Sequence, residues 1–279
     1  MIQDIFPEKF DNHYEHLSPK TGDKIIFLQN DKFLVHYDET TKSLNFPDWE
    51  SFTHPGETVF LFSLSGVHYF LTMETEALPD GCEWYDISAL RRLQKTGNRD
   101  IFIIYTAWHL AKWYQTSRFC GECGEKTAFD TAERAMVCPK CGNKIYPRIN
   151  PAVIVGVTNG NKLLLTKYNR AHAYNALVAG FTEIGETMEE TVQREVMEEV
   201  GLKVKNIRYY KSQPWGIAAD ILMGFYCDVD GDDTIHRDDN ELKYAAWVER
   251  QDIELQPDSL SLTNEMMQRF KENKVEPQA

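Results

Sequence analysis

The sequence has no long apolar run and few cysteines. No window approaches the roughly eighteen apolar residues that a membrane-spanning helix needs, so no such segment is expected. The opening stretch MIQDIFPEKFDNHYEH is acidic and mixed in character, unlike a secretory signal peptide. Six cysteines in 279 residues, with Cys82 and Cys227 standing alone, do not suggest a secreted disulfide framework. These absences favour a reducing, cytoplasmic location.

Positive charge is also scarce. Thirty Lys and Arg residues face 43 Asp and Glu residues, which gives a formal net charge of −13. A strong non-specific grip on nucleic acid is therefore not expected. A small anionic substrate would need local cations or a bound metal to overcome this background. The length suggests two domains and is ample for a buried core.

One stretch, GFTEIGETMEETVQREVMEEVGL, organises the rest of the chain and runs from Gly180 to Leu202. Thr187 and Glu190 have the spacing of a capping box, which predicts that a helix begins there. Nothing from Met188 to Val200 breaks a helix, and a glycine follows where a left-handed residue usually ends one. At roughly 100° per residue, Val192, Val196 and Val200 fall on one stripe of this helix, which should face a core.

Three glutamates, Glu195, Glu198 and Glu199, share an arc beside that stripe, with Arg194 at its flank. Carboxylates on adjoining turns repel one another, so their grouping suggests a task such as holding Mg²⁺ or Mn²⁺ through oxygen ligands. A solvated acidic helix face is the alternative for three glutamates alone. The fixed positions of the stretch favour the metal reading, because they match the Nudix box: Gly180, Glu186, Arg194, Glu195, Val196, Glu198, Glu199, Gly201 and Leu202.

The resemblance to the Nudix hydrolases implies a fold and a reaction. The expected class is α+β, with a Nudix α/β/α sandwich built on a mixed sheet. The expected reaction is cleavage of a nucleoside diphosphate linked to another group.

Two CxxC pairs, each followed by glycine, lie upstream of the box. Cys120 and Cys123 are separated by fourteen residues from Cys138 and Cys141. This spacing predicts a zinc ribbon in which four thiolates hold one structural, coordinatively closed Zn²⁺. A redox-active CxxC is the alternative. Zinc would contribute folding energy to a segment too short to make its own core.

Short β-type runs and hairpin signals define the remaining organisation. Thr58–Leu64 and Val67–Thr72 flank Ser65-Gly66, and Asn159-Gly160-Asn161 predicts a second hairpin. An apolar, aromatic segment over 100–116 predicts a connecting helix, and 260–272 predicts a closing helix. We expect three domains: a β-rich, Nudix-like N-terminal domain with the connecting helix at 1–115, the zinc ribbon at 116–147 and the catalytic Nudix domain at 148–279.

The order of strands, ribbon and Nudix box resembles the NADH pyrophosphatase branch of the Nudix hydrolases, whose members also remove NAD caps from RNA. The motif Ser212-Gln213-Pro214-Trp215 supports this resemblance. Members of the branch continue with Pro-Phe-Pro-x-Ser, whereas this chain continues with 216–220, GIAAD. The change removes two prolines and an aromatic ring and introduces a carboxylate, so we expect altered or broadened substrate preference with the chemistry retained.

The resemblance implies roles for single residues. Metal ligands would be Glu195, Glu199, Glu241 and the Ala179 backbone carbonyl, and Glu199, Glu198 and Glu195 would carry catalysis. Gly180, Glu186 and Arg194 would give structural support, with Glu186 bracing Arg194. Substrate contacts would come from two aromatic residues and the segment after the box: Tyr146, Phe181, Gln213, Pro214, Trp215, Gly216, Ile217, Ala218, Ala219 and Asp220.

Simpler interpretations remain open for some of these residues. Glu241 could be an exposed acid on a strand edge, Tyr146 could pack the ribbon onto its neighbour, and Trp215 could be a buried anchor. The implied partners are NADH or NAD⁺, with capped RNA and a homodimer partner also expected, Tyr146 acting across the dimer interface. A pyrophosphatase for ADP-ribose or a nucleotide sugar is the nearest alternative function. A non-catalytic zinc-ribbon nucleotide sensor is a third.

Overall fold

The computed structural model describes residues 1–41, 43–53, 56–75, 77–93, 98–171 and 173–275. The chain divides into two compact units. The N-terminal unit comprises Gln3–Arg148 together with Gly216–Ala218. The C-terminal unit comprises Met1–Ile2, Ile149–Trp215 and Ala219–Ala279. The expected N-terminal domain and ribbon thus fall in one unit, and three residues of the expected substrate segment join them.

A seven-stranded sheet forms the body of the N-terminal unit. Its strands are β1 (Phe10–Asp11), β2 (Lys24–Gln29), β3 (Lys32–Asp38), β4 (Ser43–Asn45), β5 (Thr58–Leu64), β6 (Val67–Thr72) and β7 (Glu83–Asp86). They lie in the order β1-β5-β6-β2-β3-β4, with β7 beside β3 and only β2 and β6 running parallel. The predicted hairpin at Ser65-Gly66 is confirmed, with Ser65 and Gly66 both at positive φ. Local turn chemistry therefore fixes this register.

Two helices follow, α1 (Ile87–Leu93) and α2 (Arg99–Thr116). The second confirms the predicted connecting helix and buries residues around most of its circumference, as expected of a helix enclosed by its neighbours. The small sheet of the ribbon comes next, in the order β10-β9-β8. Its strands are β8 (Ala128–Phe129), β9 (Met136–Val137) and β10 (Lys144–Ile145).

Hydrogen bonds join the ribbon to the sheet of the N-terminal unit. The Tyr14 hydroxyl donates to the Asp130 carbonyl over 2.8 Å, and Arg134 Nη2 donates to the Leu61 carbonyl over 2.6 Å. The Arg134 guanidinium also lies 5.2 Å from the centre of the Tyr14 ring. These contacts are consistent with the placement of sheet and ribbon in one compact unit.

The C-terminal unit holds a six-stranded mixed sheet. Its elements are β11 (Asn150–Asn159), β12 (Lys162–Tyr168), β13 (Val178–Phe181), α3 (Met188–Val200), β14 (Val204–Trp215), β15 (Asp220–Val229), β16 (Leu242–Glu249) and α4 (Leu262–Lys271). The strand order is β14-β15-β11-β12-β16, with β13 beside β11 and only β11 and β15 parallel. The expected mixed sheet and the Asn-Gly hairpin are confirmed.

Separate apolar clusters cover the two faces of this sheet. Val192, Val196 and Val200 of α3 are fully buried in one cluster, which confirms the predicted valine stripe. Met266 and Phe270 of α4 lie in the other cluster. The sheet is thus sandwiched between two helices, as expected for the fold class. Among the described residues, no helix is long and apolar enough to cross a membrane.

Candidate active site

The start and end of α3 follow from local sequence. The Thr187 hydroxyl accepts the Glu190 backbone N–H over 3.2 Å, and a Glu190 carboxylate oxygen accepts the Thr187 N–H over 2.8 Å. This is the predicted capping box. Gly201 ends the helix at φ 70°, in the left-handed region that glycine tolerates best. The acidic arc therefore sits on a helix whose ends are both fixed by short-range interactions.

Arg194 organises the acidic residues around it. Its Nε and Nη2 donate to the two oxygens of Glu186 over 2.6 and 2.9 Å. Its Nη1 donates to Glu195 over 2.8 Å and to Glu198 over 2.9 Å, and Nη2 also donates to the Phe181 carbonyl. The Arg194 hydrogen bonds are the main reason that the pKa of Glu186 falls to about 2. The predicted contact between Glu186 and Arg194 is thus present.

Gly180 leaves room for the Glu195 carboxylate. A Cβ built on Gly180 would lie 2.0 Å from the Glu195 carboxyl carbon and Oε1, closer than any two such atoms can approach. Any side chain there would displace Glu195. The Glu195 carboxylate is mostly buried, and this burial raises its pKa.

Glu199 is the most deeply buried acid of the arc, with 2% of its surface exposed. Neither carboxylate oxygen has a hydrogen-bond partner among the described residues. Burial is the largest cause that raises the Glu199 pKa to about 8, and the nearby charges of Glu241 and Glu195 raise it further. The Ala179 backbone N–H lowers this pKa in part, although it does not meet hydrogen-bond geometry with either carboxylate oxygen. A buried carboxylate with this little compensation is unstable as an anion unless a cation joins it.

Glu241 and Tyr168 complete the surroundings of this carboxylate. Glu241 lies just before β16, where its carbonyl accepts the Asn169 N–H over 2.8 Å. Burial raises the pKa of the Tyr168 phenol, and the charges of Glu199, Glu241 and Glu195 add to the effect. No motif in the sequence predicts Tyr168 at this site, because the acids beside it come from separate elements of the chain.

The acidic cluster fits hard divalent cations. Its ligand atoms are all oxygens, and a bound cation would stabilise the Glu199 carboxylate, which has no hydrogen-bond partner among the described residues. Among the described residues, only the four ribbon cysteines hold three or more candidate ligand atoms within 4.8 Å of one another. Mg²⁺ usually keeps several waters and is bound through one or two carboxylates plus substrate phosphates, so tight convergence is not required.

The four cysteines form the second candidate metal centre. The Sγ separations are 3.6 Å for Cys120–Cys141, 3.5 Å for Cys123–Cys138 and 3.6 Å for Cys123–Cys141. Four thiolates on a tetrahedral Zn²⁺ would lie about 3.8 Å apart, given Zn–S bonds of about 2.3 Å. Backbone amides of Cys123 and Glu122 lower the pKa of Cys120 to about 6, and backbone amides also lower the pKa of Cys138, which favours the thiolates that zinc needs. For Cys123 and Cys141, the backbone amides are outweighed by hydrogen bonds with neighbouring sulfurs, which raise the pKa of both. The arrangement fits a closed structural site.

The two aromatic residues expected to hold the base or nicotinamide are both exposed. Phe181 ends β13 with 49% of its surface accessible. Tyr146 is 54% accessible, and its hydroxyl donates to Glu133 Oε1 over 3.0 Å. The Tyr146 hydroxyl is therefore engaged within the N-terminal unit, while its ring faces outward. The substrate roles of both rings stay predictions.

The SQPW motif lies in a strand, since Gln213, Pro214 and Trp215 form the end of β14. Gln213 is fully buried. Its Nε2 donates to the Leu260 carbonyl over 2.8 Å, and its Oε1 accepts the Leu262 N–H over 2.7 Å. The side chain thus ties β14 to the start of α4. Pro214 is exposed and Trp215 is half-buried.

The segment between the strands is a short turn, from Gly216 to Ala219, with Ala219 at φ 57°. Gly216 is buried, Ile217 and Ala219 are partly buried, and Ala218 is exposed. Asp220 begins β15 opposite Trp215 and beside Asn150. Asp220 is buried, with 5% of its surface exposed, and its Oδ1 has no hydrogen-bond partner among the described residues. Burial raises the Asp220 pKa to about 7.

Replacing Asp220 by Asn should stabilise the protein at pH 8 but not at pH 4. The native carboxyl titrates near pH 7, against an ordinary value of 3.8, so wild-type stability falls as pH rises between these values. The gain at pH 8 should be about 2 kcal/mol, allowing for relaxation around the charge. Urea unfolding of both proteins at pH 4 and pH 8 measures this difference in the free energy of unfolding.

Asp228→Asn, in the same strand, is the matched control. Burial raises its pKa, but hydrogen bonds from Arg208, Asn206 and Thr158 outweigh this and hold it at about 2. This variant should lose stability at pH 8. Equal stability of wild type and Asp220→Asn at pH 8 would show that the Asp220 carboxylate is well compensated.

Comparisons with known proteins identify the two domains that the site and the ribbon belong to. The NUDIX domain model matches residues 148–270, and the NADH pyrophosphatase zinc ribbon domain model matches residues 115–146. A solved NUDIX hydrolase from Nitrosomonas europaea is 23% identical, with a TM-score of 0.49 over 56% of this chain and 92% of its own.

Two curated relatives from different bacteria carry one name. A protein of Pectobacterium atrosepticum named NAD-capped RNA hydrolase NudC is 44% identical over 50% of this chain and 53% of its own length. The match thus spans about half of that relative. A protein of the same name from Pseudomonas syringae pv. tomato is 35% identical over 72% of both chains. This chain belongs to the Nudix hydrolases, in the family that joins the NADH pyrophosphatase zinc ribbon to a Nudix domain.

Proposed function

We propose that this protein hydrolyses the diphosphate bond of NADH and NAD⁺, releasing NMNH or NMN and AMP, and removes NAD caps from RNA 5′ ends. The observation that carries the reaction is the buried, unpartnered Glu199 carboxylate within a complete Nudix box. The relatives named NAD-capped RNA hydrolase support the choice of substrate.

Glu195, Glu199 and Glu241, with the Ala179 carbonyl, would hold Mg²⁺ or Mn²⁺. Such ions supply charge neutralisation at the phosphates and lower the pKa of a water. Glu199 would orient and deprotonate the attacking water, since its buried carboxylate has no hydrogen-bond partner among the described residues and lies among the other acids. Arg194 would hold Glu195 and Glu198 in place through the hydrogen bonds described above.

The aromatic rings and the turn would select the substrate. Phe181 and Tyr146 are the rings proposed to hold the base or nicotinamide, and Trp215 with residues 216–220 is proposed to contact the dinucleotide. The expected homodimer, in which Tyr146 would reach a partner, and the cytoplasmic location are part of the same proposal.

Product analysis tests this function. NADH, NAD⁺, ADP-ribose and an NAD-capped RNA should each be incubated with Mg²⁺ or Mn²⁺, with products separated and identified by mass. We expect NMNH or NMN and AMP from the free dinucleotides, and 5′-monophosphate RNA from the capped substrate. Absence of all these products with either cation, in protein that holds zinc and unfolds cooperatively, would contradict the proposal.

ADP-ribose is the second candidate substrate. The turn carries Gly216, Ile217 and Ala218 where the branch has Pro-Phe-Pro, so one aromatic contact for a nicotinamide is lacking. A kcat/KM for ADP-ribose above that for NADH would favour this alternative. The non-catalytic sensor is the weaker alternative, because the chain retains every box glutamate.

A further inference from the structure

The guanidinium of Arg194 has no N–H left for a phosphate. A guanidinium carries five N–H groups. Two of those in Arg194 donate to Glu186, and the other three donate to Glu195, Glu198 and the Phe181 carbonyl. The stretch from 180 to 202 contains no other Lys or Arg. A negatively charged diphosphate at the acidic cluster therefore needs hydrogen-bond donors from another element.

Tyr168, at the end of β12, lies on the face of the sheet that α3 covers. Its side chain packs against the apolar cluster that contains the buried valines of α3. Its Cα is paired with Leu242 of β16, the residue after Glu241. After burial, which is the largest cause, the charges of Glu199, Glu241 and Glu195 raise the Tyr168 pKa. The phenol thus lies beside the acids, and its hydroxyl donates to no described residue.

Arg170 lies over the ring of Tyr168, with its guanidinium carbon 5.4 Å from the ring centre. The Arg170 N–H donates to the Tyr168 carbonyl over 2.8 Å, and Lys243 Nζ donates to the Arg170 carbonyl over 2.8 Å. These bonds and the attraction between cation and ring hold the side chain in place. The side chain is exposed, and no described carboxylate forms an ion pair with it. Its N–H groups therefore remain available to an anion.

We propose that Arg170 and Tyr168 donate hydrogen bonds to the diphosphate oxygens of the substrate. The inference rests on the proposed function. Carboxylates can approach these oxygens only through a divalent cation, whereas the guanidinium fork and the phenol can bind them directly. The aromatic ring holds the fork in one orientation, which reduces the entropy lost on binding. Every substrate with a diphosphate would use this contact, whichever group is attached to the diphosphate.

The test compares kcat/KM for NADH and for ADP-ribose in wild type, Arg170→Gln and Tyr168→Phe. Arg170→Gln should lower both values about thirtyfold, chiefly through KM, because a charge-assisted contact is lost. Tyr168→Phe should lower both about fivefold, since it removes one donor and keeps the ring beside Arg170. The factor should be the same for the two substrates, because they share the diphosphate and differ in the nicotinamide.

Two further measurements separate a phosphate contact at Arg170 from a packing role. Arg170→Lys keeps the charge but lacks the fork, so it should recover only part of the lost kcat/KM. Rising salt should increase the KM of wild type more than the KM of Arg170→Gln, because salt screens an exposed charge pair. A packing role would produce no such difference in salt dependence.

Lys167→Gln is the matched control. Lys167 Nζ lies 5.3 Å from the centre of the Tyr244 ring, in a similar cation–ring pair. Lys167 alternates with Leu165, however, on the face of the sheet that α4 covers. It should keep the wild-type kcat/KM for both substrates.

Three results would overturn the inference: equal kcat/KM in wild type and Arg170→Gln, an equal loss in Lys167→Gln, or a loss confined to NADH. Hydrolysis of neither substrate by wild type would instead contradict the proposed function, and this contact with it.

Discussion

Glu199→Gln is expected to lower kcat for NADH by about a thousandfold or more, given the usual contribution of a general base and the loss of a metal ligand. The amide keeps the shape of the side chain but carries no charge and accepts no proton. Steady-state rates with saturating Mg²⁺ or Mn²⁺ measure the effect. Glu198→Gln is the comparison, because Glu198 is 60% exposed and should cost less.

The same substitution should stabilise the protein when Mg²⁺ and Mn²⁺ are absent. The native Glu199 carboxyl titrates near pH 8, whereas the ordinary pKa is 4.5. The free energy of unfolding of the wild type therefore falls as pH rises between these two values, and the loss is complete above pH 8. Below pH 4.5 the two proteins should be equally stable. Thermal unfolding should be followed in protein that keeps zinc, without chelators.

Activity of Glu199→Gln within tenfold of wild type would remove Glu199 from the mechanism. A loss of stability at pH 8 would show that the carboxylate is better compensated than the structure indicates. In wild type, added Mg²⁺ should raise the melting temperature; in the variant it should raise it much less.

Cys138→Ser is expected to abolish zinc binding and to lower the melting temperature by roughly ten degrees or more. Structural zinc contributes about 10 kcal/mol or more of binding free energy in small zinc domains, and a few kcal/mol already shifts melting by this amount. Three thiolates cannot close the tetrahedral site that the four sulfurs form. Metal analysis and calorimetry measure the two effects.

Cys82→Ser is the control, because Cys82 stands apart from the cluster. It should retain one zinc per chain. Full zinc content in Cys138→Ser, or a disulfide between the CxxC cysteines in the protein as isolated, would favour the redox alternative.

Short-range signals explain which elements could be predicted. The capping box of Thr187 and Glu190, the left-handed Gly201 and the Asn159-Gly160 turn each act within a few residues, so sequence alone determines them. Each CxxC pair forms its own tight turn for the same reason, and the spacing of fourteen residues predicts that the two turns share one metal. The strands around them followed from β-type runs between such turns.

The remainder of the site depends on contacts between distant segments. Gln213 and Asp220 were expected in a substrate loop, yet they lie in paired strands and are buried. Tyr168 lies beside the acidic cluster because β12 brings it there, and Glu199 is more deeply buried than Glu198 although they are adjacent. Burial depends on tertiary packing, and a pattern of residue types does not encode it directly.

The carboxamide of Gln213 stabilises the fold, so natural variants at this position should affect folding rather than turnover. Its two polar atoms bridge β14 and the start of α4, and the Gln213 side chain is fully buried there. Selection on this residue can therefore act on the yield of correctly folded chains in the cell, even while turnover per folded molecule stays constant. A substitution there would then lower the activity measured in cell extracts on every substrate alike, because less folded enzyme is present.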